Sequence, residues 1–257
     1  MRRAPDTESE SQYLFGVHPV LEALDSGRRT LDRIFVAREG GGTALGRLLR
    51  AARDRGVPIS HVPRTVLAEK TGRKAVHQGV AALVSAVPYA DPEALATEAS
   101  AARNGLVVAL EGVSDPRNLG AVLRSAAAAG CHGVILGGEA TVGLTPAAAK
   151  TSAGAVERVA VAREPRLPAR LRSMRDAGFR AVALDSHAGT PWDKADYGKR
   201  TVLVAGGEGS GLRRGVLDAC DLRVSIPLAG GVESLNLSVA VAVVLFEVVR
   251  QRREGRA

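Results

Sequence analysis

Apolar residues recur along this chain at two alternating spacings. DRIFVA (32–37), VPISHV (57–62) and GVAALVSAV (79–87) read as short strands. FGVHPVLEAL (15–24), residues 43–55 and RTVLAEKTG (64–72) carry apolar residues at helical spacing. That alternation predicts a small α/β domain over 13–88, after a polar tail at 1–12 expected to be disordered. Residues 89–104 read as a linker with a weak helix. Five apolar runs follow: LVVALEGV (106–113), GVILGG (133–138), FRAVALDS (179–186), TVLVAGGE (201–208) and DLRVSIPL (221–228). Helical stretches at 114–130, 145–159, 167–178 and 235–253 separate or follow them. Buried strands alternating with helices predict a mostly parallel sheet covered on both faces, spanning 105–257.

The last helix is the most informative segment. VESLNLSVAVAVVLFEVV (232–249) is apolar nearly all round, broken by Asn236, Ser238 and Glu247. Ser234 stands where an N-cap belongs. A helix apolar on every face is buried or shared with a second subunit. Asn236 falls in its first turn, where an unpaired buried amide costs about 1–3 kcal/mol. Read alone, the segment also fits an ordinary capped core helix.

Composition narrows the partner. The formal net charge is +8 and the isoelectric point about 10.2, which points to a polyanion such as nucleic acid. Residues 13–90 hold twelve Lys or Arg against six Asp or Glu, and residues 91–257 twenty-one against eighteen. The N-terminal part is therefore the more basic per residue. Its segment 43–55 sets Arg47, Arg50, Arg53 and Arg55 around Leu45, Leu48 and Leu49, an amphipathic basic helix suited to a phosphate backbone or simply to water. Aromatic residues make up only 3% of the chain, so few bases can be stacked. Two cysteines and no HExxH exclude a disulfide framework and the familiar zinc sites, and no metal is expected. The N-terminus lacks an apolar signal core, and 235–249 is too short and polar at its start to span a bilayer. The expectation is a soluble cytoplasmic protein with no membrane partner.

Three glycine-rich strand-to-helix junctions carry the candidate chemistry. AGGEGSGL (205–212) fails the dinucleotide pattern, which needs Gly at 212 where Leu stands, and the phosphate-loop pattern, which needs Lys there. GVSDPRNLGAVLRSA (112–126) places Asn118 at a helix start and Arg124 six residues on. SIPLAGGVESLNLS (225–238) pairs Gly230 and Gly231 with Ser234 and Asn236. Each junction alone fits a plain turn or cap. In open α/β sheets, however, ligands bind at the carboxyl ends of strands.

NLGAVLRSA, GGEGSGL and SIPLAGGVESLNLSVA resemble the three ordered motifs of the SpoU (TrmH) family, ribose 2′-O-methyltransferases of the SPOUT superfamily. FGVHPVLEAL and AVHQGV (75–80) are similar to the N-terminal domain of the bacterial branch that methylates a guanosine in 23S ribosomal RNA. The likeness runs from residue 13 onward. Position 207 departs from it, being Gly where relatives often carry Asn.

The resemblance implies an α/β domain with a deep C-terminal trefoil knot, an L30e-like RNA-binding domain ahead of it, and a homodimer joined through the knotted region. It implies S-adenosyl-L-methionine as cofactor, held by Gly206, Gly207, Ile226, Leu228, Ser234 and Leu235. It also implies that Arg124 acts on a ribose 2′-hydroxyl, with Asn118, Glu208, Ser234 and Asn236 positioning it. Arg47, Arg50, Arg53, Arg55 and Arg117 would contact RNA. A guanidinium stays charged at any ordinary pH, so Arg124 suits an electrostatic stabiliser better than a base, provided it does not point to the outside of the molecule. Alternatives within the class are another rRNA or tRNA nucleotide, including antibiotic self-protection. Outside it stand a non-catalytic RNA-binding protein on the same scaffold and a dinucleotide enzyme, the latter weakened by the missing fingerprint.

Overall fold

The computed structural model describes residues 12–38, 42–72, 75–198, 200–207, 209 and 211–255. They form two compact units that divide between Pro88 and Tyr89. The expected tail lies outside the described residues, apart from Gln12.

The first unit runs β1 (Gln12–Phe15), α1 (Val17–Ser26), β2 (Leu31–Ala37), α2 (Thr43–Asp54), β3 (Ile59–Val62), α3 (Arg64–Thr71) and β4 (Val80–Val84). Its sheet has the order β1-β4-β2-β3, with β4 antiparallel to both neighbours and β3 parallel to β2. Strand periodicity divides the side chains between two faces. Leu14, Ile34, Val36, Ala82 and Val84 pack with Val20 and Leu24 of α1 and Leu45 and Leu48 of α2. Ala81 meets Leu67 of α3 on the other face, with Phe35 half-buried beside them. Strand β1 is a correction, because the helical pattern expected from Phe15 begins only at Val17.

The second unit contains α4 (Pro92–Ala101), β5 (Leu106–Glu111), α5 (Pro116–Ala128), β6 (Gly133–Gly137), α6 (Pro146–Thr151), β7 (Ala160–Glu164), α7 (Leu167–Asp176), β8 (Arg180–Leu184), β9 (Thr201–Gly206), α8 (Arg214–Leu217), β10 (Leu222–Val224) and α9 (Leu237–Arg253). All six strands are parallel, in the order β10-β8-β9-β5-β6-β7. Val107, Ala109, Ile135, Ala162, Val202 and Val204 face α4 and α7. The alternate residues Leu106, Val108 and Leu110, equally buried, face the side where α5 and α9 pack against each other.

Three further expectations change. The segment taken as a linker holds α4, capped by Asp91 and anchored through Leu95, Ala96 and Ala99 in the second core. The helix expected over 145–159 stops at Thr151, because Ala153 and Gly154 take left-handed φ of 51° and 92°. Of the two alternatives for α9, complete burial within one chain does not hold. Leu237, Val241, Val244, Leu245 and Val248 face the core, whereas Val239 and Phe246 are 47% and 48% exposed.

The polar groups buried along α9 are paired. Glu247 binds Arg250 at 2.7 Å, and Gln251 donates to the Ala195 carbonyl at 2.8 Å. Near its end, Arg252 donates to the carbonyls of Asn104 and Gly105 at 3.0 and 3.1 Å, beside the start of β5.

Close packing of α5 on α6 needs Gly120. A Cβ there would lie 2.5 Å from the Ala148 carbonyl oxygen and 2.7 Å from the Thr151 Cβ. Alanine would gain about 1 kcal/mol in helix propensity, yet overpacking costs about 1–3 kcal/mol. Gly120→Ala is expected to lower stability in urea unfolding. A rise in stability would show that α5 and α6 separate freely.

Candidate active site

Strands β5 and β9 are neighbours, and their carboxyl ends set the frame of the site. Strand β5 ends on Glu111, 3% exposed. A buried carboxylate must be paired. Arg213, beyond the β9 loop, supplies the pair: its Nη2 and Nε lie 2.6 and 3.0 Å from Oε1, and its main-chain N–H donates to Oε2 at 3.2 Å. The Glu111 carbonyl in turn accepts the Gly207 N–H at 2.7 Å. The loop after β9 is thus tied at both ends to the tip of β5.

The tie is so close that side chains are excluded. A Cβ on Gly206 would stand 2.2 Å from the Gly211 carbonyl carbon, and one on Gly207 would stand 2.0 Å from the Gly112 carbonyl oxygen. Both glycines are steric requirements of the main-chain crossing. Thr141 locks the neighbouring loop, accepting the Gly112 N–H at 2.8 Å while its hydroxyl donates to the Gly137 carbonyl.

Helix α5 then starts under an Asp115 cap, with Asn118 buried in its first turn. The Asn118 Oδ1 accepts the Asn236 Nδ2–H at 2.9 Å. Asn236, not Ser234, is the N-cap of α9: its Oδ1 accepts the Ser238 N–H at 2.9 Å and the Ser238 hydroxyl at 2.7 Å. One amide therefore caps a helix with its oxygen and reaches another helix with its nitrogen. Ser234 is exposed in the loop before it.

That loop, 226–235, has a distinctive chemistry. Its main-chain N–H and C=O groups form no hydrogen bonds with described residues. Ile226, Leu228 and Leu235 are half-buried along it. A stretch of unpaired main chain interleaved with apolar side chains offers donors and acceptors to a ligand.

The other expected site residues divide. Gly206, Gly207, Asn118 and Asn236 converge on the β5–β9 end. Glu208 lies outside the described residues. Arg124 does not join them within the single chain. It lies six residues after Asn118, about 120° round the helix, and is exposed with no partner among the described residues. Arg117 shares that outward face and is held by Asp115 at 3.0 Å. The Arg117 guanidinium keeps the Asp115 carboxyl below the usual carboxylate range. In the first unit Arg47, Arg50, Arg53 and Arg55 are all exposed along or just after α2, and Arg47 and Arg55 flank Asp25 at 3.8 and 3.4 Å. Glu111, Arg213 and Thr141 were not anticipated. The only signal was a carboxylate ending an otherwise apolar strand.

A parallel α/β sheet with glycine-tight crossings and, among the described residues, an unpaired loop after β10 has a form that can take a ligand through main-chain contacts. Comparison with known proteins makes this specific. Residues 105–246 match the SpoU rRNA methylase family. Residues 13–90 match the RNA 2′-O ribose methyltransferase substrate-binding family. A Mycolicibacterium smegmatis protein named an uncharacterized tRNA/rRNA methyltransferase is 42% identical over 253 residues, covering 98% of this chain and 80% of its own. The SpoU methyltransferase AviRb from Streptomyces viridochromogenes, solved with AdoMet, superposes with a TM-score of 0.81 at 28% identity, over 100% of this chain and 96% of its own. An AdoMet-bound rRNA methyltransferase from Sinorhizobium meliloti gives 0.77 at 28% identity, over 95% and 88%. The chain belongs to the SpoU rRNA methylase family.

The Asn118–Asn236 contact is testable as a pair. Asn236→Ala removes a cap and should cost about 0.5–2 kcal/mol. Combined with Asn118→Ala in a double-mutant cycle, urea unfolding should give a coupling of about 0.5–1.5 kcal/mol. Zero coupling would mean that the two helices are fixed independently.

Proposed function

We propose that this protein transfers a methyl group from S-adenosyl-L-methionine to a ribose 2′-hydroxyl of ribosomal RNA, and that the target is a guanosine of 23S rRNA. The observation that carries this is the Asn118–Asn236 bond, which joins two of the three family motifs at the mouth of the unpaired loop. AviRb and the S. meliloti relative were solved with AdoMet, and the S. meliloti protein is named an rRNA methyltransferase. A ribosomal RNA substrate would place the enzyme in the cytoplasm.

The residues present fit the cofactor. Ile226, Leu228 and Leu235 would supply apolar contact and the main chain of 226–235 hydrogen bonds, with Gly206, Gly207 and Ser234 assigned to the same pocket. When bound there, S-adenosyl-L-methionine supplies an electrophilic methyl group. Asn118 and Asn236 fix the start of two helices around the site, and Ser234 offers a hydroxyl. Glu208 is assigned to orienting the substrate oxygen. Loops 206–212 and 225–236 are read as the crossings of a trefoil knot, in keeping with the close approach of Gly206 and Gly207 to neighbouring main chain.

Arg124 is the assigned electrostatic stabiliser of the ribose oxygen. Its exposure within one chain would be reconciled by dimerisation. Val239 and Phe246 sit seven residues apart on the outward face of α9, which packs beside α5. Half-exposed apolar residues on one helix face are what a second subunit would cover. A second copy seated on α9 and α5 would enclose Arg124 and complete the site. The basic helix α2 is assigned to RNA phosphates, which would make binding salt-dependent.

Arg124→Ala is expected to abolish methyl transfer to rRNA from a strain lacking the gene, while calorimetry still detects S-adenosyl-L-methionine. Loss of cofactor affinity in that variant would refute its assigned role. Mapping ribose methylation in the same rRNA identifies the nucleotide. Phe246→Glu should yield a monomer by light scattering and lose activity with it. A fully active monomer would remove the dimer from the scheme.

A further inference from the structure

Tyr89 opens the second unit and is 41% exposed. Its ring is nevertheless held in place. The Leu144 N–H donates to its hydroxyl at 2.8 Å, and the guanidinium carbon of Arg163 lies 5.1 Å from the ring centroid. Arg163 sits on β7, the edge strand, and forms no ion pair with a described residue. The nearby carboxylates are engaged elsewhere: Glu164 and Glu93 bind Arg170, and Asp91 caps α4. The pair is therefore a preset aromatic surface carrying an uncompensated cation, a combination that attracts an anionic, planar ligand.

Its position relates it to the site. Ala162 and Ala90 pack toward α4 and α7, so Arg163 and Tyr89, each one residue away, belong to the opposite face of the sheet, the one that carries α5. Strand β7 lies two strands from β5, about 10 Å at ordinary strand spacing. The loop that anchors Tyr89 is the one that meets the β5–α5 junction, where the Val142 N–H donates to the Val113 carbonyl at 2.7 Å. The pair and the Asn118–Asn236 contact thus flank one stretch of the sheet's carboxyl edge.

We propose that Tyr89 and Arg163 form a stacking site for an unpaired nucleobase flanking the methylated ribose, with the Arg163 guanidinium taking that nucleotide's phosphate. This rests on the RNA methyltransferase reading above. Sequence-specific RNA recognition relies on bases splayed from the helix and stacked on aromatic or guanidinium planes. In a chain with so few aromatic residues, a pinned and exposed ring beside the site is the obvious platform. The Tyr89 hydroxyl faces the protein, which leaves the ring rather than the hydroxyl for the ligand.

The test combines kinetics with direct binding. Tyr89→Ala should raise KM for rRNA from a gene-deleted strain roughly tenfold to a hundredfold, the size of one stacking contact. The same variant should leave kcat within about twofold and S-adenosyl-L-methionine affinity unchanged. Tyr89→Phe, which keeps the ring, should stay near wild type. Arg163→Ala should raise KM and reduce the salt dependence of RNA binding by about one phosphate contact. Equal losses in Tyr89→Phe and Tyr89→Ala would assign the effect to the loop anchor and overturn the proposal, as would an unchanged KM in Tyr89→Ala. Should the wild type transfer no methyl to RNA, the function above fails and a second readout still decides this site. A single-stranded oligoribonucleotide containing 2-aminopurine should lose fluorescence on binding the wild type and Tyr89→Phe but not Tyr89→Ala. Equal quenching by all three would overturn the stacking site.

Discussion

A carboxylate buried at the tip of the central strand constrains everything around it. Glu111 is buried and needs a partner, and the partner comes from the far side of the β9 loop. Satisfying it draws that loop across the tip of β5, closely enough that only glycine fits at 206 and 207. Glycine-rich sequence at this junction therefore follows from two main chains being forced together. The phosphate-cradling role such loops often have is not needed to account for it.

From that crossing the rest of the site is organised by sharing. Asn236 uses the two ends of one amide for two tasks, capping α9 and joining it to Asn118. The first and third motifs are thus held both by their own caps and by contact with each other. The loop between β10 and α9 is left outside this pairing among the described residues, and its main chain is the part assigned above to the cofactor.

How much of this was legible follows from physics. Strands β5, β6 and β9 stood out because both faces are covered, which makes their sequences continuously apolar. Strands β1 and β7 lie at sheet edges, and β7 carries Arg163 and Glu164, so neither has that signature. Helix α4 looked like a linker because small alanines, not large aliphatics, do most of its packing. Ser234 had the right chemistry for a cap and the wrong position, because the bond to Asn118 favours Asn236, and that contact spans 118 residues of sequence. The association of Asn118 with Asn236 came from the family motifs. The bulk pattern could not have supplied it, nor could it have revealed the Glu111–Arg213 pair. Arg124 was expected near the other polar residues, and helical geometry turns it outward.

Helix α9 reaches both ends of the sheet, with Asn236 bonded to Asn118 near the carboxyl end of β5 and Arg252 gripping the carbonyls beside its start. A polypeptide leaving the ribosome completes this helix only after every strand has been made. Until then the junction at Asn118 lacks its companion amide and the sheet lacks its final brace. A chain lacking Arg252 would consequently lose the brace on the Asn104 and Gly105 carbonyls that holds this helix to the start of β5.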